Sequence, residues 1–126
     1  MAKKFLFRDI FRVNGFIKSL KVACQGIAYL FIYHRNMRLI FIFGILAFLV
    51  GIYLKLKGIE LAALCVTITL VFMAEIFNTA IELMLDTLTE KYHVKIRLVK
   101  DIAAGIVVIT CLNAVAVGYI LFFRKL

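Results

Sequence analysis

The stretch that decides the fold is LAALCVTITLVFMAEIFNTAIELMLD, residues 61–86. It is long and apolar enough to cross the hydrocarbon core of a bilayer as one helix, which takes roughly 20 residues. Its second half nevertheless carries three carboxylates and an amide, at Glu75, Asn78, Glu82 and Asp86. Charge inside a bilayer is costly, so these side chains are expected to face a partner helix, a water-filled pocket or a cation.

The composition indicates a small integral membrane protein. The chain has 126 residues, is 65% hydrophobic and contains no proline, which is far from the composition of a soluble domain. Its 16 Lys and Arg against 7 Asp and Glu give a net charge of +9. The basic residues cluster beside apolar segments, where they would meet anionic headgroups, and no nucleic-acid-binding motif accompanies them. The three cysteines lack metal or redox spacing and are expected to be buried.

Hydropathy predicts three transmembrane helices at about residues 37–56, 61–86 and 101–123. The segment before them, residues 1–36, has apolar residues at intervals of three and four, and basic residues on its other side. This pattern predicts an amphipathic helix that lies on the membrane surface. The connections are short, so residues 1–126 form one domain. The predicted class is an all-α integral membrane protein with a surface helix and three spans.

The distribution of basic residues predicts the orientation. The arm through Arg38 holds eight Lys and Arg, the first loop two, the second loop four and the C-terminus two. The positive-inside rule therefore places the N-terminus and the loop around Tyr92 in the cytoplasm, and Leu126 outside.

The four polar residues of the opening stretch form one stripe. At about 100° per residue, their spacing of three, four and four confines them to an arc of roughly 80°. Interhelical hydrogen bonding explains one such residue well, but three acids on one face repel each other and call for a cation or a held proton. The nearest basic side chains are Lys100, Arg35 and Arg38. Carboxylate and amide oxygens suit Mg²⁺, and acids beside a lysine favour phosphate chemistry.

The segments EIFNTAIELMLD (residues 75–86) and KYHVKIRLVKDIAAG (residues 91–105) resemble the signature of the prokaryotic diacylglycerol kinase and undecaprenol kinase family. Residues 18–26 and the pair Arg35–Asn36 are similar to it as well. The resemblance implies a homotrimer in the bacterial cytoplasmic membrane, with active sites shared between protomers. It also implies transfer of the γ-phosphate of MgATP to the hydroxyl of a membrane lipid alcohol.

Carried over by position, the resemblance assigns a role to each polar residue of the stripe. Glu75 is similar to the general base that takes the proton from the lipid hydroxyl. Glu82 resembles the metal-binding carboxylate, and Asn78 a residue of the phosphate and metal site. These roles suit phosphoryl transfer, in which positioning and charge neutralisation supply most of the catalysis.

The nucleotide is expected to contact Asp86, Lys100 and Asp101, again by resemblance. One position departs from the family pattern, because His34 stands where the family has a glutamate that binds metal. Imidazole is a poorer ligand for Mg²⁺ than carboxylate. His34 is therefore either a weakened metal ligand or an ordinary interfacial side chain.

Two other functions stay open on the residues alone. A small proton-coupled transporter would use Glu75 but has no use for the other acids and Lys100, and a noncatalytic helix-bundle subunit would need none of them. The acceptor lipid also stays open between undecaprenol and diacylglycerol, with the NTAIE and KDIAAG segments closer to the undecaprenol branch.

Overall fold

The chain is all-helical in a computed structural model that describes the backbone of residues 2–88 and 94–126 and the side chains of residues 15–88 and 94–126. It contains, in order, α1 (Ala2–Tyr33), α2 (Arg35–Tyr53), α3 (Ile59–Leu88) and α4 (Val94–Lys125). The predicted all-α class is confirmed. Tyr92 and the loop around it lie outside the described residues.

Four helices in the described ranges are long and apolar enough to cross a membrane, one more than the three predicted spans. The additional one is Gly15–Tyr33 within α1, the least apolar of the four. It carries Lys18 and Lys21, and it belongs to the segment expected to lie on the membrane surface. That surface position stays a prediction.

The chain divides into two compact units, Met1–Arg35 and Asn36–Leu126. In the first unit the helix ends beside a small aromatic group. The ring centroids of Tyr29 and Tyr33 are 4.7 Å apart, and those of Tyr29 and His34 are 6.1 Å apart. The His34 N–H donates to the Leu30 carbonyl over 2.9 Å, so the last hydrogen bond of the helix reaches the histidine.

In the second unit, the connection from α2 to α3 is a Schellman turn. The Leu56 N–H donates to the Gly51 carbonyl and the Lys55 N–H to the Ile52 carbonyl, both over 3.0 Å. Lys55 adopts the left-handed conformation with φ of 62°, at the position where helices usually place glycine. The turn folds Leu56 back onto α2, where it is buried.

Leu56 belongs to a small apolar cluster with Leu64 and Leu121, which joins the turn to α3 and α4. Gly51 permits this packing, because a Cβ at that position would lie 2.7 Å from Leu64 Cδ2 and 3.1 Å from Leu56 Cδ1. The close approach of α2 and α3 at this end therefore depends on a residue without a side chain.

The helices α3 and α4 form the main antiparallel pair, and an ion pair joins them near each end. Lys100 Nζ lies 2.8 Å from Asp86 Oδ1 at one end, and Lys125 Nζ lies 3.7 Å from Glu60 Oε2 at the other. The two contacts mark the register of one helix against the other. They also bring the start of α4 to the acidic end of α3.

Two expectations differ from the structure. Residues 94–100 were expected in a loop but form the first two turns of α4, because lysine, arginine and leucine are good helix formers and no Gly or Pro interrupts them.

The cysteines were expected to be buried, and this prediction is wrong for this chain. Cys24, Cys65 and Cys111 are all exposed on the helix surfaces.

Candidate functional site

The polar face of α3 changes from buried to exposed along its length. Glu75 is 7% exposed and Thr79, one turn later, 4%. Asn78 is half-buried, whereas Glu82 and Asp86 are exposed. One helix face therefore holds a desolvated carboxylate and, within about 16 Å along the axis, two carboxylates that reach water.

Asn78 and Glu82 are paired through the amide nitrogen. Asn78 Nδ2 donates to Glu82 Oε1 over 3.5 Å, the long limit of a hydrogen bond. The amide oxygen, Oδ1, is buried and has no hydrogen-bond partner among the described residues. A buried acceptor left unsatisfied is costly, so this oxygen is suited to a cation or to a donor on a ligand.

These oxygens fit a divalent cation that is held only in part by protein. Asn78 Oδ1 and the Glu82 carboxylate are hard oxygen donors one helical turn apart. Among the described residues, no group of three or more His, Cys, Asp and Glu side chains could enclose a metal. Mg²⁺ is commonly bound by one or two protein oxygens together with water and substrate phosphates. The donor set therefore fits Mg²⁺ bound together with a phosphate.

Lys100 closes the exposed end of the stripe. Its ammonium donates to Asp86 Oδ1 over 2.8 Å and also interacts electrostatically with Glu82. The Lys100 side chain is 38% and the Asp86 side chain 64% exposed, so the pair contributes little to stability. What the contact achieves is to place an ammonium group beside the acids.

Two predicted site residues have other neighbours. Asp101 follows Lys100 but lies about 100° further around the helix, where its carboxylate is 4.0 Å from Arg97 Nε. His34 belongs to the first compact unit, where Tyr29 is its aromatic neighbour. The metal-binding role of His34 stays a prediction.

Sequence reasoning did not single out Thr79. It lies four residues after Glu75, on the same face, and it is more deeply buried than that glutamate. The spacing of three and four that identified the acids also includes this threonine. It was not selected because an uncharged hydroxyl is common within an apolar helix. Thr79 therefore lies one turn from Glu75 on the buried part of this face.

These features define a helical membrane protein with a site at one end of an antiparallel helix pair, where carboxylates of α3 lie beside a lysine of α4. The family described as prokaryotic diacylglycerol kinase matches residues 21–122. The chain therefore belongs to the prokaryotic diacylglycerol kinase family, and the resemblance noted from its motifs is confirmed.

Two relatives match over most of the chain. A diacylglycerol kinase of Synechocystis sp. is 34% identical over 119 residues, which cover 93% of this chain and 68% of the relative. An undecaprenol kinase of Bacillus subtilis is 31% identical over 114 residues, which cover 90% of this chain and 93% of the relative. Both carry the name of a lipid kinase, and the predicted enzyme class is confirmed at this level.

Proposed function

We propose that this protein transfers the γ-phosphate of ATP to the hydroxyl of a membrane lipid alcohol, at the Asp86–Lys100 end of α3 and α4. The observation that carries the proposal is the graded polar face of α3. A buried carboxylate, a buried amide oxygen without a partner and two exposed acids follow each other on that face, and a lysine from α4 is bound at its end.

Glu75 acts as the general base. Its carboxylate accepts the proton of the lipid hydroxyl while the hydroxyl oxygen attacks the γ-phosphorus, and the bond to the bridging oxygen breaks to release ADP. Burial of Glu75 supports this role, since a carboxylate with few water ligands is available to a hydroxyl brought from the lipid phase. General-base catalysis of this kind contributes about 10² to 10⁴ in rate.

The other polar groups hold the nucleotide and neutralise its charge. Lys100 binds phosphate oxygens, and Asp86 and Asp101 contact the nucleotide end. Glu82 and the Asn78 amide oxygen hold Mg²⁺, which when bound offsets the negative charge of the phosphates. The protein side chains position the reactants, and positioning supplies a large part of the barrier reduction in phosphoryl transfer.

The proposed setting is the bacterial cytoplasmic membrane, with the N-terminus in the cytoplasm and the chain assembled as a homotrimer whose active sites are shared between protomers. Residues 1–36 lie on the membrane surface in this arrangement. The presence of Lys18 and Lys21 in the least apolar of the four candidate spans supports that placement.

The acceptor is a lipid alcohol of the kind named by the two relatives. The NTAIE and KDIAAG segments favour undecaprenol over diacylglycerol, while the two relatives match at similar identity. Purified protein in mixed micelles with Mg²⁺ and radiolabelled ATP, given each lipid in parallel, tests both the kinase activity and this preference. A protein that labels neither lipid would contradict the proposal and leave proton transport as the alternative.

The decisive variant is Glu75→Gln. We expect it to bind MgATP as the wild type does and to lose at least about a hundredfold of its lipid phosphorylation rate, because an amide cannot accept the hydroxyl proton. Glu60→Gln is the matched control, since it makes the same change at the other end of the same helix and, among the described residues, weakens the contact with Lys125. Turnover of Glu75→Gln within a few fold of Glu60→Gln would overturn the general-base role.

A further inference from the structure

Four basic residues lie at the end of the second unit that is opposite the acidic site. Lys55 and Lys57 belong to the turn between α2 and α3, and Arg124 and Lys125 to the last turn of α4. All four residues are exposed. Among the described residues, the one carboxylate side chain at this end is that of Glu60, in the first turn of α3. We call these four basic residues the basic cluster.

Apolar packing beneath the basic cluster holds its two halves together. Leu56, which lies between the two turn lysines in the sequence, is buried in one apolar cluster with Leu121 of α4. Arg124 and Lys125 follow Leu121 by three and four positions, so they lie on the same side of α4 as that buried leucine. The packing therefore brings the turn and the end of α4 together, and with them the four cations.

Acidic side chains compensate little of this charge. Lys125 Nζ lies 3.7 Å from Glu60 Oε2, which is longer than a hydrogen bond, whereas Lys100 at the acidic site lies 2.8 Å from Asp86. The other three members of the basic cluster make no ion pair within the described part of the chain. Because an ammonium group has three N–H donors and a guanidinium group five, the cluster offers many donors to an external anion.

Aromatic side chains indicate that the basic cluster lies at the level of the lipid headgroups. Tyr53 ends α2 and is 83% exposed. Tyr119 of α4 is also exposed and stacks on Phe123, with ring centroids 4.8 Å apart. Tyrosine is enriched at membrane interfaces, and long basic side chains at helix ends extend toward the same level. The phosphate groups of anionic lipids are concentrated there, so a lipid headgroup is the anion that the cluster meets.

We propose that the basic cluster binds the phosphodiester headgroup of an anionic phospholipid. The Arg124 guanidinium is suited to two phosphate oxygens at once, and the turn lysines supply ammonium groups. Exposed apolar side chains on the neighbouring helix surfaces, such as Phe123 and Ile52, are available to the acyl chains. None of these residues belongs to the acidic site, so the inference does not rest on the proposed function.

A single tryptophan gives a local readout of bound lipid, because the sequence contains no other. Tyr53→Trp places the reporter beside the basic cluster. Leu98→Trp places one near the other end of α4, where residue 98 is 57% exposed. Each protein is reconstituted in vesicles of phosphatidylcholine and phosphatidylglycerol, with one of the two lipids brominated near its headgroup. Bromine quenches tryptophan fluorescence at short range, so the two series together measure the preference for phosphatidylglycerol at each reporter.

Neutralising two members of the basic cluster tests the inference. Lys57→Gln combined with Arg124→Gln removes two charges and keeps the ion pair of Lys125. Lys95→Gln combined with Arg97→Gln is the matched control, since it removes two charges at the other end of α4. With the reporter at position 53, we expect phosphatidylglycerol to be preferred about fivefold or more over phosphatidylcholine. The first pair of substitutions should abolish this preference, and the control should keep it. The reporter at position 98 should not respond to the first pair.

Glu60→Gln tests the inference in the opposite direction. It removes the one acid that repels an anionic headgroup at this end and that attracts Lys125. We expect the preference for phosphatidylglycerol at position 53 to rise about twofold, as loss of a weak surface ion pair allows. A gain of binding cannot result from misfolding, so this variant complements the losses.

Three outcomes would overturn the inference. The first is an equal affinity for both lipids at position 53 with the basic cluster intact. The second is an equal loss in both pairs of substitutions, which would show attraction by net charge alone. The third is competition by millimolar inorganic phosphate, which would show that the cluster binds free anions and not a lipid headgroup. None of these measurements requires kinase activity, so failure of the proposed function would leave them unaffected.

Discussion

At the scale of single residues, position along one helix separates carboxylates of the same chemical type. Glu75 is 7% exposed, so its carboxylate is largely withdrawn from water. Glu82 and Asp86 are exposed and interact with the Lys100 ammonium, so they are accessible to water and to charged ligands. Two to three helical turns along one face are therefore enough to give carboxylates of the same chemical type different surroundings.

The Asp86–Lys100 contact leads to a prediction about nucleotide affinity. Lys100→Met removes the ammonium group proposed to bind phosphate, and Asp86→Asn removes the charge that holds that ammonium at 2.8 Å. We expect both variants, and Glu82→Gln, to raise the KM for ATP or the Mg²⁺ requirement about tenfold or more, as loss of a charged hydrogen bond does. Steady-state kinetics over ATP and Mg²⁺ concentration measure this.

Lys125→Met is the control for Lys100→Met, because it breaks the weaker ion pair at the other end of the same helices. It should leave both constants unchanged. If Lys100→Met, Asp86→Asn and Glu82→Gln all kept the wild-type constants, a nucleotide site at this end of the helix pair would be excluded.

His34 leads to a prediction about metal preference. If its imidazole replaces a carboxylate ligand, His34→Glu adds a negative charge and a hard oxygen to the site, and we expect it to lower the Mg²⁺ concentration for half-maximal activity. The wild type should be relatively better with Mn²⁺, which accepts imidazole more readily than Mg²⁺ does. Mg²⁺ and Mn²⁺ titrations of the activity of both proteins measure this preference. Superimposable curves would assign His34 to the interface.

Much of the candidate site was predictable because helix geometry converts spacing into a face. The intervals between Glu75, Asn78, Glu82 and Asp86 predicted one stripe, and Lys100 was expected as a nearby cation. The spacing could not predict which acid is buried, because burial depends on the neighbouring helices. Nor could adjacency in sequence show that Asp101 points about 100° away from Lys100 and contacts Arg97.

At the scale of elements, the turn between α2 and α3 is the most specific packing feature. A Schellman turn on Lys55 buries Leu56 against Gly51 and Leu64. Close packing of helices at small residues is typical of membrane proteins, where the backbone must approach closely to gain contacts. The turn therefore sets how near α2 and α3 come at this end.

Gly51→Ala tests that packing. The added methyl group would lie 2.7 Å from Leu64 Cδ2, so neighbouring side chains must move, and we expect a loss of about 1 to 3 kcal/mol. Gly105→Ala is the matched control, because nothing lies within 4 Å of its added Cβ and alanine is the better helix former by about 1 kcal/mol. Denaturation in detergent should shift in opposite directions for the two variants. A Gly51→Ala protein as stable as Gly105→Ala would contradict the packing.

The apolar helices were predictable because a long uncharged run has few alternatives to a spanning helix. The ends of the helices were harder to predict. The charges of Lys95 and Arg97 indicated a loop, but α4 begins at Val94, and lysine and arginine are good helix formers. The Schellman turn was not predicted either, because Lys55 adopts the left-handed conformation that helix ends usually give to glycine.

At the scale of the whole molecule, most large apolar side chains of the described helices are exposed. In a soluble protein such surfaces would aggregate, whereas in a bilayer they meet lipid or other copies of the chain. The number of helices that cross the membrane then decides which side each terminus occupies. Three crossings place the two termini on opposite sides of the membrane, and four crossings place them on the same side. An experiment that locates the termini distinguishes the two.

Single cysteines at the termini determine the topology. In a background in which the three native cysteines are replaced by serine, we expect Ala2→Cys to react with an impermeant maleimide only from the cytoplasmic side. Leu126→Cys should react only from outside, as three crossings and the positive-inside rule require. Inverted and right-side-out vesicles provide the two sides and serve as controls for each other. Labelling of both termini from the cytoplasm would mean that Gly15–Tyr33 also crosses, and the surface-helix proposal would fall.

The distance between the two ion pairs of the α3 and α4 hairpin can be compared with the thickness of the membrane. Glu60 and Asp86 are 26 residues apart, about 39 Å along a helix, whereas the hydrocarbon core is about 30 Å thick. Both helices run the full distance between the two pairs, so together they accommodate the excess of about 9 Å by tilting or by projecting into the headgroups. A thinner bilayer then lifts Glu75 toward water and a thicker one draws it into lipid. In the proposed reaction, the depth at which the lipid hydroxyl meets Glu75 is thereby coupled to the thickness of the surrounding membrane.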